Sequence, residues 1–219
     1  FCRLSVSDMK KLNPAPMPVY DFDSRQQRNV YLPDEDTFLL MDAVYNFCRI
    51  KPQSVLEIGP GSGVVITFLA KHFGPATYMA VDMNEEAVEM TNQTLKRNGF
   101  QANCVRGDLF QEGQAEQKDV GQFDLVVFNP PYCVGSASSL GVIDLALSGG
   151  EKGRAQTDRF IRQLPTHLSK HGEAFLVAIE ANCIPEILEL LNQSGLAGEV
   201  VCEKRLPSEF LKVIRILFK

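Results

Sequence analysis

The residues with the sharpest chemical meaning are Asn129-Pro130-Pro131-Tyr132, which close the apolar run Phe123-Asp124-Leu125-Val126-Val127-Phe128. A turn alone would account for the two prolines but not for the Asn and Tyr beside them. The side-chain oxygen of Asn129 can accept a hydrogen bond, and Pro130 keeps its carbonyl while lacking an N–H to compete for it. Both acceptors can serve one NH2 group, and Tyr132 can stack on the flat molecule that carries it. A carboxamide or aromatic amine nitrogen has its lone pair delocalised and is a poor nucleophile. Fixed acceptors that orient its hydrogens help to expose that lone pair, and positioning of this kind supplies roughly 7–11 kcal/mol in favourable cases. Asn129, Pro130 and Tyr132 are therefore the candidate catalytic residues.

A second set of residues could hold a nucleoside. Val55-Leu56-Glu57-Ile58-Gly59-Pro60-Gly61-Ser62-Gly63 reads as a strand entering a glycine-rich turn and then a helix. Glycine lets backbone pass close to a ligand, and the amides at a helix start offer donors to a carboxylate or phosphate. A nucleotide-binding turn or a plain tight turn would look similar. Asp82 ends the next strand, where an acid can accept both ribose hydroxyls. Its plainer reading is a helix N-cap, although Asn84 is itself a good cap for a helix starting at Glu85. Arg106-Gly107-Asp108-Leu109 closes a third strand with another acid. The three strand ends together describe one nucleoside pocket.

The strand-end acid followed by Gly-x-Gly resembles the first motif of class I methyltransferases, and the resemblance implies S-adenosylmethionine as cofactor. It places Glu57 and Gly59 at the methionine end, Asp82 on the ribose, Asp108 on the adenine amino group and Leu109 against the ring. Gly61, Gly63, Met83 and Asn129 complete that part of the cofactor-binding set. Methyl transfer is an in-line displacement at carbon, so the Asn-Pro-Pro-Tyr acceptors would aim the nitrogen along the axis of the breaking bond. The nitrogen becomes acidic as it gains the methyl, so no strong base is demanded.

These residues need a frame that brings strand ends together. Ser54 to Ile58, Thr77 to Val81, Ala102 to Arg106, Phe123 to Phe128 and Glu173 to Ile179 read as strands, with helical patterns at about 62 to 73, 84 to 98, 154 to 170 and 184 to 194. Two further strands, about 199 to 206 and 210 to 218, have too short a link for a parallel crossover and suit an antiparallel hairpin. The expected fold class is α/β: a seven-stranded Rossmann-like class I methyltransferase sheet, mostly parallel, with a C-terminal antiparallel hairpin and helices on both faces. Ligand then belongs at the carboxyl ends of the strands. Residues 31 to 219 form the methyltransferase domain in this reading. Residues 1 to 30, with three prolines and no apolar period, read as a loosely ordered leader or a strap over it.

Tyr31-Leu32-Pro33-Asp34-Glu35-Asp36-Thr37 opens an amphipathic helix, with proline at its start and acids in its first turn. The segment is similar to the Tyr-x-Pro-x-Glu-Asp-Thr stretch of the eukaryotic and archaeal release-factor glutamine methyltransferases, the HemK2 family. Gly149-Gly150-Glu151-Lys152-Gly153-Arg154 with Asp158-Arg159-Phe160 resembles the Gly-Gly-x-x-Gly-Arg and Asp-Arg-Phe pattern of the same family. The resemblance adds Tyr31 and Thr37 to the cofactor-binding residues. It implies, as substrate, the glutamine of the Gly-Gly-Gln loop of a class I release factor, and a heterodimer with a small zinc-binding activator. The strand at 102 to 106, expected at a sheet edge, is where such a partner could pair.

The 45% hydrophobic and 22% charged content suits a folded soluble protein, and no stretch approaches the ~20 apolar residues of a membrane span. Six cysteines without a Cys-x-x-Cys spacing point to a reducing compartment, the cytoplasm or alternatively the nucleus. The three histidines share no liganding pattern with them and are expected exposed near helix ends, so no metal is assigned. The native start is expected upstream of Phe1. The Asn-Pro-Pro-Tyr motif also serves adenine N6-methyltransferases, but a net charge of -5 argues against unaided grip on a phosphate backbone. A lysine acceptor is a further alternative, less suited to a two-acceptor site.

Overall fold

Successive residues along a strand point to opposite faces of a sheet, and the central strands are largely apolar on both. The computed structural model describes residues 17–101, 103–112, 118–135, 149–150 and 152–219. In chain order its elements are α1 (Gln26–Asn29), α2 (Glu35–Phe47), β1 (Ser54–Ile58), α3 (Val64–Phe73), β2 (Thr77–Asp82), α4 (Glu85–Arg97) and β3 (Asn103–Asp108). There follow the short β4 (Gln111–Glu112) and β5 (Lys118–Asp119), then β6 (Phe123–Phe128), α5 (Ala155–His167), β7 (Leu168–Ile179), α6 (Ile184–Gln193), β8 (Leu196–Arg205) and β9 (Phe210–Phe218). The sheet order is β5-β4-β3-β2-β1-β6-β7-β9-β8. The neighbouring strands β3, β2, β1, β6 and β7 run parallel, and β8 and β9 form the antiparallel hairpin expected from their short link.

Val55, Leu125, Val127, Phe175 and Val177 meet α2 and α3 on one face, while Leu56, Val126, Phe128, Ala174 and Leu176 meet α5 and α6 on the other. At about 1.5–3 kcal/mol for each fully buried large apolar side chain, these two layers hold the sheet between its helices. Their packing also fixes the strand ends that carry the chemistry.

All seven expected strands are present, and the two-residue β4 and β5 extend the sheet past β3. The structure corrects three sequence expectations. β3 is not the open edge expected: β4 pairs with Gly107 and Asp108, Asn103 to Arg106 pair with β2, and the Asn92 side chain of α4 accepts from Cys104 N at 3.2 Å and donates to Cys104 O at 3.1 Å. The helix expected to reach residue 170 stops at His167, and β7 starts at once at Leu168. Leu168 pairs with Phe123, and Ser169 donates to Asp124 Oδ1 at 2.8 Å, which draws the chain into the sheet. His167 is buried rather than exposed, stacked on Phe110 at 4.1 Å.

Residues 17 to 30 lie along α4. Val19 and the Asn98 side chain exchange hydrogen bonds of 2.9 and 2.8 Å, Arg25 and Asn29 both bond Glu86, and Asn84 Nδ2 donates to the Asn29 carbonyl. No helix among the described residues is long and apolar enough to cross a membrane.

Candidate active site

The carboxyl ends of β1, β2, β3 and β6 open into a cavity of about 890 Å3, closed on one side by Val30, Tyr31 and the start of α2. Tyr31, Thr37, Glu57, Gly59, Gly61, Asp82, Met83, Asp108, Leu109, Asn129, Pro130 and Tyr132 all line it. Gly63, also expected to bind cofactor, does not line it and is a packing residue instead. It caps α3 at φ 74°, and a Cβ there would stand 2.7 Å from Thr91 Cα, so its lack of a side chain lets α3 approach α4.

In the half built on β1 to β3, Glu57 is 3% exposed and its Oε2 accepts from Ile66 N, in the first turn of α3, at 2.7 Å. Burial pushes its carboxyl up to about 8, partly offset by that hydrogen bond. Asp82 is raised by burial as well, while its oxygens accept from Asn84 N at 2.8 Å and Gly61 N at 3.2 Å. Asn84 caps α4 by accepting from Glu86 N, so Asp82 is not the cap. Both Asp108 oxygens are held by the Arg159 guanidinium, at 3.1 and 2.8 Å. An adenine amino group would therefore share Asp108 with Arg159, a partner the sequence reading missed. Leu109 holds φ 54° beside the cavity, a left-handed setting that costs a residue with Cβ about 1–2 kcal/mol. Met83 is 60% exposed at the rim.

The half built on β6 and α2 centres on Asp36, which is 2% exposed. Its Oδ2 accepts from Tyr132 OH at 2.8 Å, Asn129 Nδ2 at 2.9 Å and Tyr31 OH at 3.0 Å, and its Oδ1 from Thr37 N at 2.6 Å. Burial and Asp36 raise both tyrosine hydroxyls, which therefore stay protonated donors. Thr37 Oγ1 is engaged in capping α2, accepting from Asp34 N at 3.3 Å. Because the Asn129 NH2 is spent on Asp36, its oxygen faces away from that carboxyl. Asn129 Oδ1 is, among the described residues, the one buried side-chain polar atom without a hydrogen-bond partner. A buried acceptor left so costs roughly 1–3 kcal/mol, which a donor brought into the cavity would recover.

The profile of the Methyltransferase small domain family matches residues 31–204. The chain belongs to this family of methyltransferases. Methyltransferase HEMK2 of Mus musculus is 38% identical over 206 residues, covering 91% of this chain and 95% of the mouse protein. The release factor glutamine methyltransferase of Synechocystis sp. is 28% identical and matches 86% of this chain but 66% of its own length. Among solved structures, a chain of the E. cuniculi Mtq2–Trm112 complex, described as responsible for methylating the termination factor eRF1, superposes with a TM-score of 0.68. It is 29% identical and matches 87% of this chain and 99% of its own. The class I methyltransferase fold expected from sequence is the one observed.

Sequence reasoning missed the part that ties this methyltransferase site together. In the sequence Asp36 reads as a first-turn acid complementing a helix dipole, and its partner Asn129 lies 93 residues away along the chain. One available signal was its place one residue before Thr37 in a segment already assigned to the cavity.

Proposed function

We propose that this methyltransferase uses S-adenosylmethionine to methylate the side-chain amide of the glutamine in the Gly-Gly-Gln loop of a class I release factor. The observation that carries the reading is the unpartnered Asn129 oxygen, held by Asp36 so that it is free to accept from a substrate amide. The residues present suit the cofactor: a buried acid on β1 and a half-buried one on β2, a glycine turn in which a Cβ on Gly61 would crowd the Tyr31 carbonyl, and an apolar Leu109 in one cavity. When bound, the cofactor supplies an electrophilic methyl on sulfur. Asn129 Oδ1 accepts one amide hydrogen of the substrate, and the Pro130 carbonyl, on the adjoining residue, is the second acceptor in this reading. Tyr132, fixed through its hydroxyl, walls the flat group. Orienting the NH2 in this way turns a delocalised lone pair toward carbon without a general base.

Relatives named for release factors support this acceptor, and the E. cuniculi complex supports a small partner protein. Such a partner, zinc-binding in this reading, would pair with Asn103 to Arg106. The test uses radiolabelled cofactor with a class I release factor in one arm and oligonucleotides in the other. Label on the Gly-Gly-Gln glutamine is expected; label on adenine alone would overturn the reading. Asn129→Ala should abolish transfer while leaving cofactor affinity nearly intact.

A further inference from the structure

None of the described residues of the Gly-Gly-x-x-Gly-Arg segment lines the cavity, yet Gly149 and Gly153 lie flush against the backbone of the acceptor turn. A Cβ on Gly149 would stand 2.5 Å from the Pro131 carbonyl oxygen, and one on Gly153 would stand 2.2 Å from that of Tyr132. Gly149 N donates to Cys133 O at 2.9 Å, and Gly135 N to Gly150 O at 3.0 Å. Only glycines allow this approach, and it leaves carbonyl oxygens crowded together away from water.

One side chain resolves that crowding. Asn182, 1% exposed, ends a short 3-10 turn, Glu180–Asn182, that follows β7. Its Nδ2 donates to Tyr132 O at 2.8 Å, Lys152 O at 3.1 Å and Gly153 O at 3.2 Å, and its Oδ1 accepts from Ile179 N at 2.9 Å. We propose that Asn182 is a positioning residue for methyl transfer, holding the Pro130–Tyr132 turn against the 149–153 segment so that Tyr132 is gripped at both ends. Its carbonyl is held by Asn182 and its hydroxyl by Asp36, which in turn orients Asn129. The proposal rests on the acceptor role given to Asn129 above. The chemistry demands a carboxamide, whose two N–H hydrogens are shared among three carbonyl oxygens: aspartate would set a carboxylate against them, and an apolar residue would leave Tyr132 O and Gly153 O buried without this donor.

The test compares Asn182→Asp and Asn182→Ser in the full chain by hydrogen exchange, cofactor affinity and the turnover number on whichever acceptor the wild-type protein methylates. Asn182→Asp should speed exchange of segments 131–135 and 149–153 by tenfold or more while β1 and β2 stay protected. It should lower kcat on the order of 100-fold, the scale of a small misplacement of reacting groups, with cofactor Kd within twofold. Asn182→Ser, which keeps one donor, should lose less, and it carries the comparison if the aspartate variant does not fold. Unchanged exchange in those segments, a kcat within threefold of wild type, or cofactor affinity falling in step with kcat would each overturn the proposal. Methyl appearing on oligonucleotide instead of release factor would sink the glutamine reading alone, since the variant-to-wild-type ratio on that acceptor still decides for or against Asn182.

Discussion

Asp36 takes hydrogen bonds from Tyr31, Tyr132 and Asn129, and so decides which way the Asn129 amide faces. Asparagine in its place would bring an NH2 into a ring of donors, where one partner must turn away. Asp36→Asn should therefore lower the single-turnover rate about 100-fold, the cost of a misaligned acceptor, while cofactor affinity stays within threefold. Parallel losses in both would show that Asp36 shapes the cofactor half instead. Glu57 makes a different prediction, about pH. In the folded, cofactor-free chain its carboxyl titrates near 8, against an ordinary 4.5, because it is buried. Between those values the folded chain keeps a proton that the unfolded chain has released, so stability falls as pH rises through that window and levels off above it. Glu57→Gln keeps an acceptor for Ile66 N–H but removes the titration. Melting temperatures of the two proteins should agree below pH 4.5 and separate steadily toward pH 8, with the variant the more stable; curves that stay parallel would mean the carboxylate is charged in the fold.

At the scale of elements, α3 and α4 meet through the glycine turn. Thr91 Oγ1 donates to Gly61 O and Thr94 Oγ1 to Ser62 O, at 3.1 and 2.8 Å, and Gly63 sits against Thr91. Gly63→Ala should be costly on two counts, about 1–2 kcal/mol for left-handed backbone and about 1–3 kcal/mol for overpacking. A clear fall in the denaturant midpoint should accompany weaker cofactor binding, because the turn that carries Gly59 and Gly61 would shift; a midpoint equal to wild type would show that the helices part freely. The same elements show why much of the fold was legible. β1 and β6 begin and end where their largely apolar runs do, since a parallel strand covered on both faces reads as a near-continuous apolar run, and Asn84 caps α4 as its type suggests. What escaped the sequence depended on distant partners. β7 starts early because Ser169 finds Asp124, His167 is buried because it finds Phe110, and Asp36 acts on Asn129 from another element. Asn182 carries no local signal at all, because its three acceptors come from two other segments.

On the scale of the whole molecule the two sheet edges are unlike. β8 is an edge strand paired with β9 on one side, with a register shift that skips Val201 between Val200 and Cys202. Bulges of that kind twist an edge away from further pairing. At the other end β4 covers only Gly107 and Asp108, and the Asn92 side chain holds the Cys104 backbone N and O at 3.2 and 3.1 Å, so a strand added along Asn103 to Arg106, next to the cavity rim at Met83, would take those two bonds over from Asn92. Arg106 also donates from Nε to the Met83 carbonyl at 3.3 Å, which ties that edge to the rim. A partner strand bound there would extend the sheet and could reach the site, which no partner on β8 could do without crossing β9 and β7. Co-expression with a small zinc-binding activator should therefore slow backbone hydrogen exchange at residues 103 to 106 at least tenfold and leave β8 unchanged. Cofactor affinity should rise with it, because Asp108 and Leu109 continue the same strand into the cavity. Protection gained along β8 instead, with 103 to 106 exchanging as before, would put the partner on the wrong side of the sheet for this assembly.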